Sequence, residues 1–351
     1  MGCWHELTRA AGQRYDCAGL NGRSGSMMND VQAHRCPICK GVDVSAFGER
    51  SGFPLGQCRA CGHSFVQRLP TREEIDAVYE RYSYDAQHLD ALPAFLQPVI
   101  AEKVRSFEPY RRTGRLLDVG FGAGALLRAA KDQGWSPHGI EVSRLAVEQA
   151  RRNGLGEIVQ GDFLEAPFEP GFFDVIVMSE LIEHLPAPEP FIRHARRLLA
   201  PGGLLYLTTP HGRGLSGRVL RETWSVCSPP EHLHLFSRRS MMRCLAGNGF
   251  GPIRVEARSV HPHELVQWAK RPFRSLRRTG GHAQDPSFGA DDRVQGSYRV
   301  NAALVGSLWG RTLKRAANIV LDATSLGDGL VVHATASSSA ATAHSTARTS
   351  P

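Results

Sequence analysis

Asp118-Val119-Gly120-Phe121-Gly122-Ala123-Gly124 is the stretch whose reading decides the fold. It follows the short apolar run Leu116-Leu117 and precedes an apolar helical stretch, Ala125 to Ala130. Strand, glycine turn and helix in that order make a unit whose backbone can approach a bound nucleoside closely. A glycine turn by itself satisfies more than one fingerprint. Gly120, Gly122 and Ala125 also fit the looser dinucleotide pattern, with Glu141 about 20 residues downstream as a ribose ligand. Two details weigh against a dinucleotide. Asp118 sets a carboxylate at the strand tip, where a pyrophosphate would be repelled, and Gly124 opens the turn further, as suits a zwitterionic amino-acid tail.

The pattern continues downstream in a fixed order. Gly139-Ile140-Glu141-Val142-Ser143 reads as a short strand ending on an acid, with Ser143 placed to cap the next helix. A carboxylate there can accept both hydroxyls of a ribose. Gln160-Gly161-Asp162-Phe163 puts a second acid at another strand end, after the apolar Ile158-Val159. Phe173 to Met178 is a near-continuous apolar run, the mark of a buried parallel strand. Phe191, Ile192, Ala195, Leu198 and Leu199 have helical spacing, Pro201-Gly202-Gly203 stops that helix, and a strand follows over Leu204 to Thr208.

On these motifs the chain resembles the class I S-adenosylmethionine-dependent methyltransferases over roughly residues 111–260. The resemblance implies an α/β fold, a doubly wound Rossmann-like sheet with mostly parallel strands and helices on both faces. It implies S-adenosylmethionine as cofactor, with Asp118, Gly120, Gly122 and Gly124 at the methionine end and Glu141 on the ribose. Asp162 would hold the adenine amino group and Phe163 would lie against the ring. All of these fall at carboxyl ends of strands, where ligands of such sheets bind.

A second signal precedes this domain. Cys36-Pro37-Ile38-Cys39 and Cys58-Arg59-Ala60-Cys61 form two C-x2-C pairs separated by eighteen residues. Four thiolates at that spacing read as a structural zinc ribbon, closed to substrate. Two disulfides are the competing reading, and they fit a reducing compartment poorly. His63 is expected to face solvent, and Cys3, Cys17, Cys227 and Cys244 lack ligand spacing.

The organisation expected is a disordered tail over 1–30, a zinc ribbon over 31–68, and a helical connector or lid over 69–110. The methyltransferase domain then spans 111–335 with an insertion at 261–324, and a disordered tail covers 336–351. Met27-Met28 offers an internal start. In the connector, Thr71-Arg72-Glu73-Glu74 spells a capping box, and Tyr79, Tyr82 and Tyr84 are candidates for an acceptor pocket as well as for core packing. The insertion carries Trp268, Phe273 and Leu276 among basic residues, then a helix from Ala302 to Leu321 with Arg311, Lys314 and Arg315. Such a helix either docks its apolar side on the body or rests on anionic lipid.

The chain has 351 residues and a formal charge of +8. Of the 42 basic residues only five are lysines, and the arginines are scattered rather than striped, so a solvated basic surface is favoured over a nucleic-acid face. No apolar stretch approaches the ~20 residues of a membrane span, and the N-terminus lacks a secretory core, which makes the cytoplasm the expected location.

Methyl transfer to a hydroxyl needs a proton acceptor, and histidine suits the task. His184, in Ser179-Glu180-Leu181-Ile182-Glu183-His184, and His232, in Pro229-Pro230-Glu231-His232-Leu233-His234, head the candidates, ahead of His211 and His234. The Glu183-His184 pair resembles that of the ubiquinone-type O-methyltransferases, and it also fits a simple turn cap. The expected activity is therefore methylation of a small molecule or glycan intermediate, at oxygen. Sugar C-methyltransferases and ribosomal RNA guanine methyltransferases are alternatives by resemblance, since both place a cysteine-rich module before such a domain. A non-catalytic cofactor-binding scaffold is a third.

Overall fold

The computed structural model describes residues 35–71, 73–74, 96–260, 262–269 and 308–337. Most of both expected tails lies outside these residues, as do Tyr79, Tyr82, Tyr84, Phe273 and Leu276. Two sheets organise the described chain. The smaller one holds β1 (Val44–Arg50), β2 (Phe53–Cys58) and β3 (Ser64–Val66), joined in antiparallel order by β9 (His234–Leu235), which comes from far along the chain.

The larger sheet has seven strands: β4 (Arg115–Val119), β5 (Ser136–Glu141), β6 (Glu157–Gln160), β7 (Phe173–Ser179), β8 (Leu199–Pro210), β10 (Phe250–Arg258) and β11 (Gly329–Ala336). Their spatial order is β10-β11-β8-β7-β4-β5-β6. The β4–β5, β4–β7, β5–β6 and β7–β8 pairs are parallel, while β11 runs antiparallel to both β8 and β10. This is the mostly parallel, Rossmann-like sheet expected, with the order reversing between β4 and β7. A ligand crevice opens at such a reversal, beyond the carboxyl ends of the strands.

Burial explains the central position of β7. Six of its seven residues, Phe173 to Met178, are buried, because helices cover both faces, and five of those six are apolar. On the flanks, α2 (Ala125–Asp132) buries Leu126, Leu127 and Ala130, and α3 (Arg144–Arg152) buries Ala146, Val147 and Ala150. The Ser143 side chain accepts the Ala146 amide and caps α3, as the sequence led us to expect. Further on, α4 (Pro188–Leu198) starts on a proline and presents Phe191, Ile192, Ala195 and Leu198 to the core, at the spacing seen in the sequence. Ahead of the sheet, α1 (Gln97–Arg105) is the described part of the connector. The Thr71–Glu74 capping box forms in both directions, at 2.8 and 3.3 Å.

Several boundaries move. The second helix of the insertion is described as Leu308–Thr324, three residues beyond the expected end, and it leaves Ile319 and Val320 exposed. Ala336, assigned to the C-terminal tail, instead closes β11 and is fully buried. His63 is a correction. Expected at the solvent, it is fully buried, stacked on Phe65 and His234 and tilted against Phe236. Those three residues flank it because β3 and β9 are adjacent strands.

Asp174 ties the amino end of β4 to β7. Its Oδ2 accepts three successive amides, Arg112, Thr113 and Gly114, at 2.8, 2.7 and 2.8 Å. An amide stripped of its acceptor and kept from water costs about 1–3 kcal/mol. Asp174→Ala should therefore destabilise the fold by about 3 kcal/mol, with Asp174→Asn costing less, since one carbonyl oxygen remains. Urea denaturation of the three proteins checks the order.

Candidate functional site

The turn 120–124 is built by left-handed backbone. Gly122 sits at φ 51°, and a Cβ placed on it would meet nothing within 4 Å, so the space above the turn is open. Gly124, at φ 71°, is the residue before α2, and a Cβ there would come within 2.5 Å of Leu155. Only glycine avoids both the conformational cost and the clash. The first glycine is anchored by its amide to the Ile140 carbonyl at 2.9 Å. The Gly122 amide donates to Glu141 Oε2 at 3.2 Å, which joins the glycine turn to the acid at the end of β5. Glu141 Oε1 accepts the Val142 and Ser143 amides at 2.8 and 3.0 Å, so the carboxylate is fixed in place and still carries lone pairs for hydroxyl donors.

Asp118 is buried at the tip of β4. Burial pushes its carboxyl up to about 7, with the Lys103 ammonium acting in the opposite direction and Glu141 adding to the rise. Lys103, on α1, was not singled out by the sequence. Burial lowers its pKa, while Asp118 and Glu180 hold it up, which places one cation between the connector helix and the acids of the site. Nothing in local spacing marks this lysine, since the relation spans from helix to strand ends.

Asp162 follows β6 and caps a short turn, its Oδ1 accepting the Leu164 amide at 2.8 Å. Phe163 is buried against Phe191, at 5.7 Å between ring centres, and edge-on to His194 at 4.8 Å. Its ring is thus part of the packing between the site and α4.

Beyond β7 and β8 the candidate histidines separate into two kinds. His211 is buried, with Nδ1 at 2.8 Å from the Gly327 carbonyl, and His234 is buried with Nδ1 at 3.1 Å from His63 Nε2. Both serve packing. His184 and His232 are brought together, half-buried, with ring centres 4.5 Å apart and the planes nearly perpendicular. Each holds a backbone carbonyl with Nδ1, Glu231 at 3.0 Å for His184 and Val226 at 2.7 Å for His232. A carbonyl cannot donate, so Nδ1 carries the proton in the neutral rings and Nε2 keeps its lone pair. Burial and the neighbouring His232 lower the His184 pKa to about 4. Glu183 is fully buried beside them, and Thr209 Oγ1 donates to its Oε2 at 3.0 Å. Leu181 packs on the first turn glycine, with a side-chain carbon 3.4 Å from where a Cβ on Gly120 would stand. The loop bearing Glu183 and His184 therefore lies against the turn.

The four cysteines of the ribbon also converge. Cys36 and Cys61 sulfurs are 3.6 Å apart, Cys39 and Cys58 sulfurs 3.5 Å, and none is in a disulfide. Four sulfurs about 2.3 Å from a tetrahedral zinc lie about 3.8 Å from one another, so the donor set fits that metal. Cys227 and Cys244 are buried thiols, pushed up by burial to about 11 and about 12.

Comparison with known proteins agrees with this geometry. Residues 92–255 match a family described as a methyltransferase domain. The ubiquinone biosynthesis O-methyltransferase of Pseudomonas aeruginosa is 36% identical over 101 residues, which are 27% of this chain and 44% of that protein. Its counterpart in Xanthomonas oryzae pv. oryzae is 38% identical over 101 residues, 27% of this chain and 42% of the relative. The chain thus spans less than half the length of the curated relatives it matches. Among solved structures, a Haemonchus contortus phosphoethanolamine N-methyltransferase 2 in complex with S-adenosyl-L-methionine superposes with a TM-score of 0.50. That match has 17% identity, covers 83% of this chain and 70% of the other, and speaks to the fold. Among the described residues no helix is long and apolar enough to cross a membrane. Over residues 92–255 the chain carries a methyltransferase domain of the class I, S-adenosylmethionine-dependent kind.

Proposed function

We propose that the chain moves a methyl group from S-adenosylmethionine to an oxygen of a small-molecule or glycan-intermediate acceptor. The observation that carries this reading is the contact between the two halves of the site. The glycine turn, fastened to Glu141, meets the Glu183–His184 loop through Leu181 packed on Gly120. The relatives that match 101 residues of the chain are named as O-methyltransferases, which supports oxygen as the target.

Bound here, the cofactor would supply an electrophilic methyl on a sulfonium, and the chain's part is alignment and exclusion of water. The open face over Gly122 would receive the methionine end, with Asp118 the acid for its ammonium and Lys103 the cation nearest that acid. Glu141 accepts from the ribose hydroxyls, and Asp162 with Phe163 borders the adenine. At the acceptor side, the Nε2 lone pair of His184 or His232 takes the hydroxyl proton. The ribbon would hold a structural zinc on Cys36, Cys39, Cys58 and Cys61.

Calorimetric titration with S-adenosylhomocysteine tests the cofactor half. One-site binding is expected, lost in Asp118→Ala. Because Asp118 ionises at about 7, an ammonium gains its counter-charge only above that pH. Affinity should therefore rise by up to tenfold per unit between pH 5.5 and 7 and then level, with Asp118→Asn flattening the rise. For the ligand-free fold the sign is reversed: Asp118 contributes stability below its ordinary pKa of 3.8, and this is lost as pH climbs through about 7.

His184→Ala and His232→Ala should each lower turnover at least tenfold while leaving homocysteine-ligand affinity within about twofold. Unchanged turnover in both would remove the base assignment. Stripping zinc from the ribbon should have the same signature, because β9 and the ribbon's β3 hold the segment after His232. Metal analysis should return one tightly held zinc per chain, and Cys58→Ser should lose it.

A further inference from the structure

Two deeply buried histidines lie outside the mechanism. His63 is 0% exposed and His234 3%. One comes from the ribbon, two residues after Cys61, and the other stands on β9, two residues after His232. Imidazoles are a costly filling for an apolar seam, because each brings two ring nitrogens that need partners. A phenylalanine would fill the same space without that cost. Phe65 and Phe236 already do so beside His63, with ring centres 5.9 and 4.7 Å away. The nitrogens call for a role that packing does not supply.

They form a chain that ends beside both candidate bases. His63 Nδ1 faces the Ser240 hydroxyl at 3.5 Å, His63 Nε2 meets His234 Nδ1 at 3.1 Å, and the two rings stack at 5.2 Å. On its far side His234 lies beside the carbonyls of Leu185 and Pro186, the two residues that follow His184, and β9 touches the turn Ile182–His184. We propose that His63 and His234 are positioning residues for methyl transfer. Their chain of ring contacts holds the loops of His184 and His232 against the ribbon, and so fixes the tautomer in which each keeps a bare Nε2. The role in the reaction rests on the methyl-transfer reading, whereas the coupling itself does not.

The partners give the chain a direction. Carbonyls only accept, so Nε2 of His234, the nitrogen turned away from His63, carries that ring's proton. It is buried, and its approach to the carbonyls falls short of normal hydrogen-bond geometry. Nδ1 of His234 is left as an acceptor, and the proton of the 3.1 Å contact belongs to His63 Nε2. His63 Nδ1 in turn accepts from Ser240, which the capping box of the helix Arg238–Ala246 holds in place. Burial keeps both rings below the ordinary imidazole range, so each carries one proton at neutral pH.

Both ends of the chain are anchored. The Cys58 amide donates to the His63 carbonyl at 2.8 Å and the Gly62 amide to the Cys58 carbonyl at 2.7 Å, so the second cysteine knuckle sets the His63 backbone. At the other end, the Leu233 amide on the Glu183 carbonyl, at 2.9 Å, ties the two histidine loops to each other. His184 and His232 owe their tautomers to the Glu231 and Val226 carbonyls, both in the segment that leads into β9. Those bonds are 3.0 and 2.7 Å long. A displacement of β9 by about 1 Å would stretch them past hydrogen-bond reach.

The experiment uses full-length, zinc-loaded protein with isotope-labelled histidine, read by long-range proton–nitrogen NMR at about pH 8, where the rings are neutral. In the wild type His184 and His232 should show the Nδ1–H tautomer and His234 the Nε2–H tautomer. His63→Phe keeps a ring in place and removes both nitrogens. It should abolish the Nδ1–H signature of His184 and His232 while circular dichroism, zinc content and S-adenosylhomocysteine binding are retained. His63→Gln, whose amide can donate to His234 Nδ1, should restore most of that signature. His234→Phe should match His63→Phe, and the double variant should add nothing further. Wild-type signatures of His184 and His232 in folded His63→Phe overturn the proposal, as does a Gln variant no better than the Phe variant. Where His63→Phe fails to fold, His234→Phe decides by the same signatures. The expected tautomer changes in a protein that binds no S-adenosylhomocysteine keep the coupling and remove the methyl-transfer reading.

Discussion

Leu233 is the residue on which the two halves of the molecule meet. Its amide donates to the Glu183 carbonyl and its own carbonyl accepts the Val66 amide, so one residue joins the strand-end loop to the ribbon. The next two residues are β9, paired to β3 through Ser64–Leu235 and Phe65–His234. Side chains reinforce the seam: His63 Nε2 meets His234 Nδ1 at 3.1 Å, and Ser237, which caps the helix Arg238–Ala246, donates to the Cys61 carbonyl. A two-residue strand has little stability of its own. It persists because the ribbon supplies a sheet edge and the domain supplies Phe236, which is fully buried. The ribbon is therefore part of the wall that sets where His232 stands, rather than an appendage beside the domain.

That arrangement explains which parts of the molecule were legible in the sequence. The glycine turn, the acid ending β5, the buried run of β7 and the cysteine spacing are local signals, and each lies where its pattern placed it. Left-handed glycines and C-x2-C knuckles leave marks within five residues. The seam leaves none. His63 read as a surface residue because its partners, His234 and Phe236, lie more than 170 positions away. Lys103 and Asp174 were passed over for the same reason. A lysine on a helix and an aspartate in a strand are ordinary until the fold brings them to Asp118 and to the amides of residues 112–114. His211 and His234 show the converse: their positions near strand ends matched those of His184 and His232, and only burial, nearly complete for the first two and partial for the pair, distinguishes packing from availability.

The two sides of the cleft are made by different physics. The glycine-turn side is mostly backbone: positive-φ glycines clear space, and a carboxylate is steadied by three amides. Such a surface is fixed by a few consecutive residues and survives wide change elsewhere. The side holding Glu183, His184 and His232 is made of side chains from separate loops, held by hydrogen bonds to distant carbonyls and a hydroxyl. Its geometry depends on the ribbon, on β8 and on the loop before β9 together. Curated relatives match only about 27% of the chain. Acceptor chemistry depends on the remainder.

Charge completes the division. The chain carries +8 overall, yet Asp118, Glu141, Glu180 and Glu183 lie near one another, with Lys103 acting on Asp118 and Glu180. Burial relieves part of the repulsion by holding Asp118 and Glu183 above the ordinary carboxylate range. A fully ionised set would pin a sulfonium cation in its ground state, which slows a reaction that neutralises that charge. Two acids whose ionisation is disfavoured by burial soften that field.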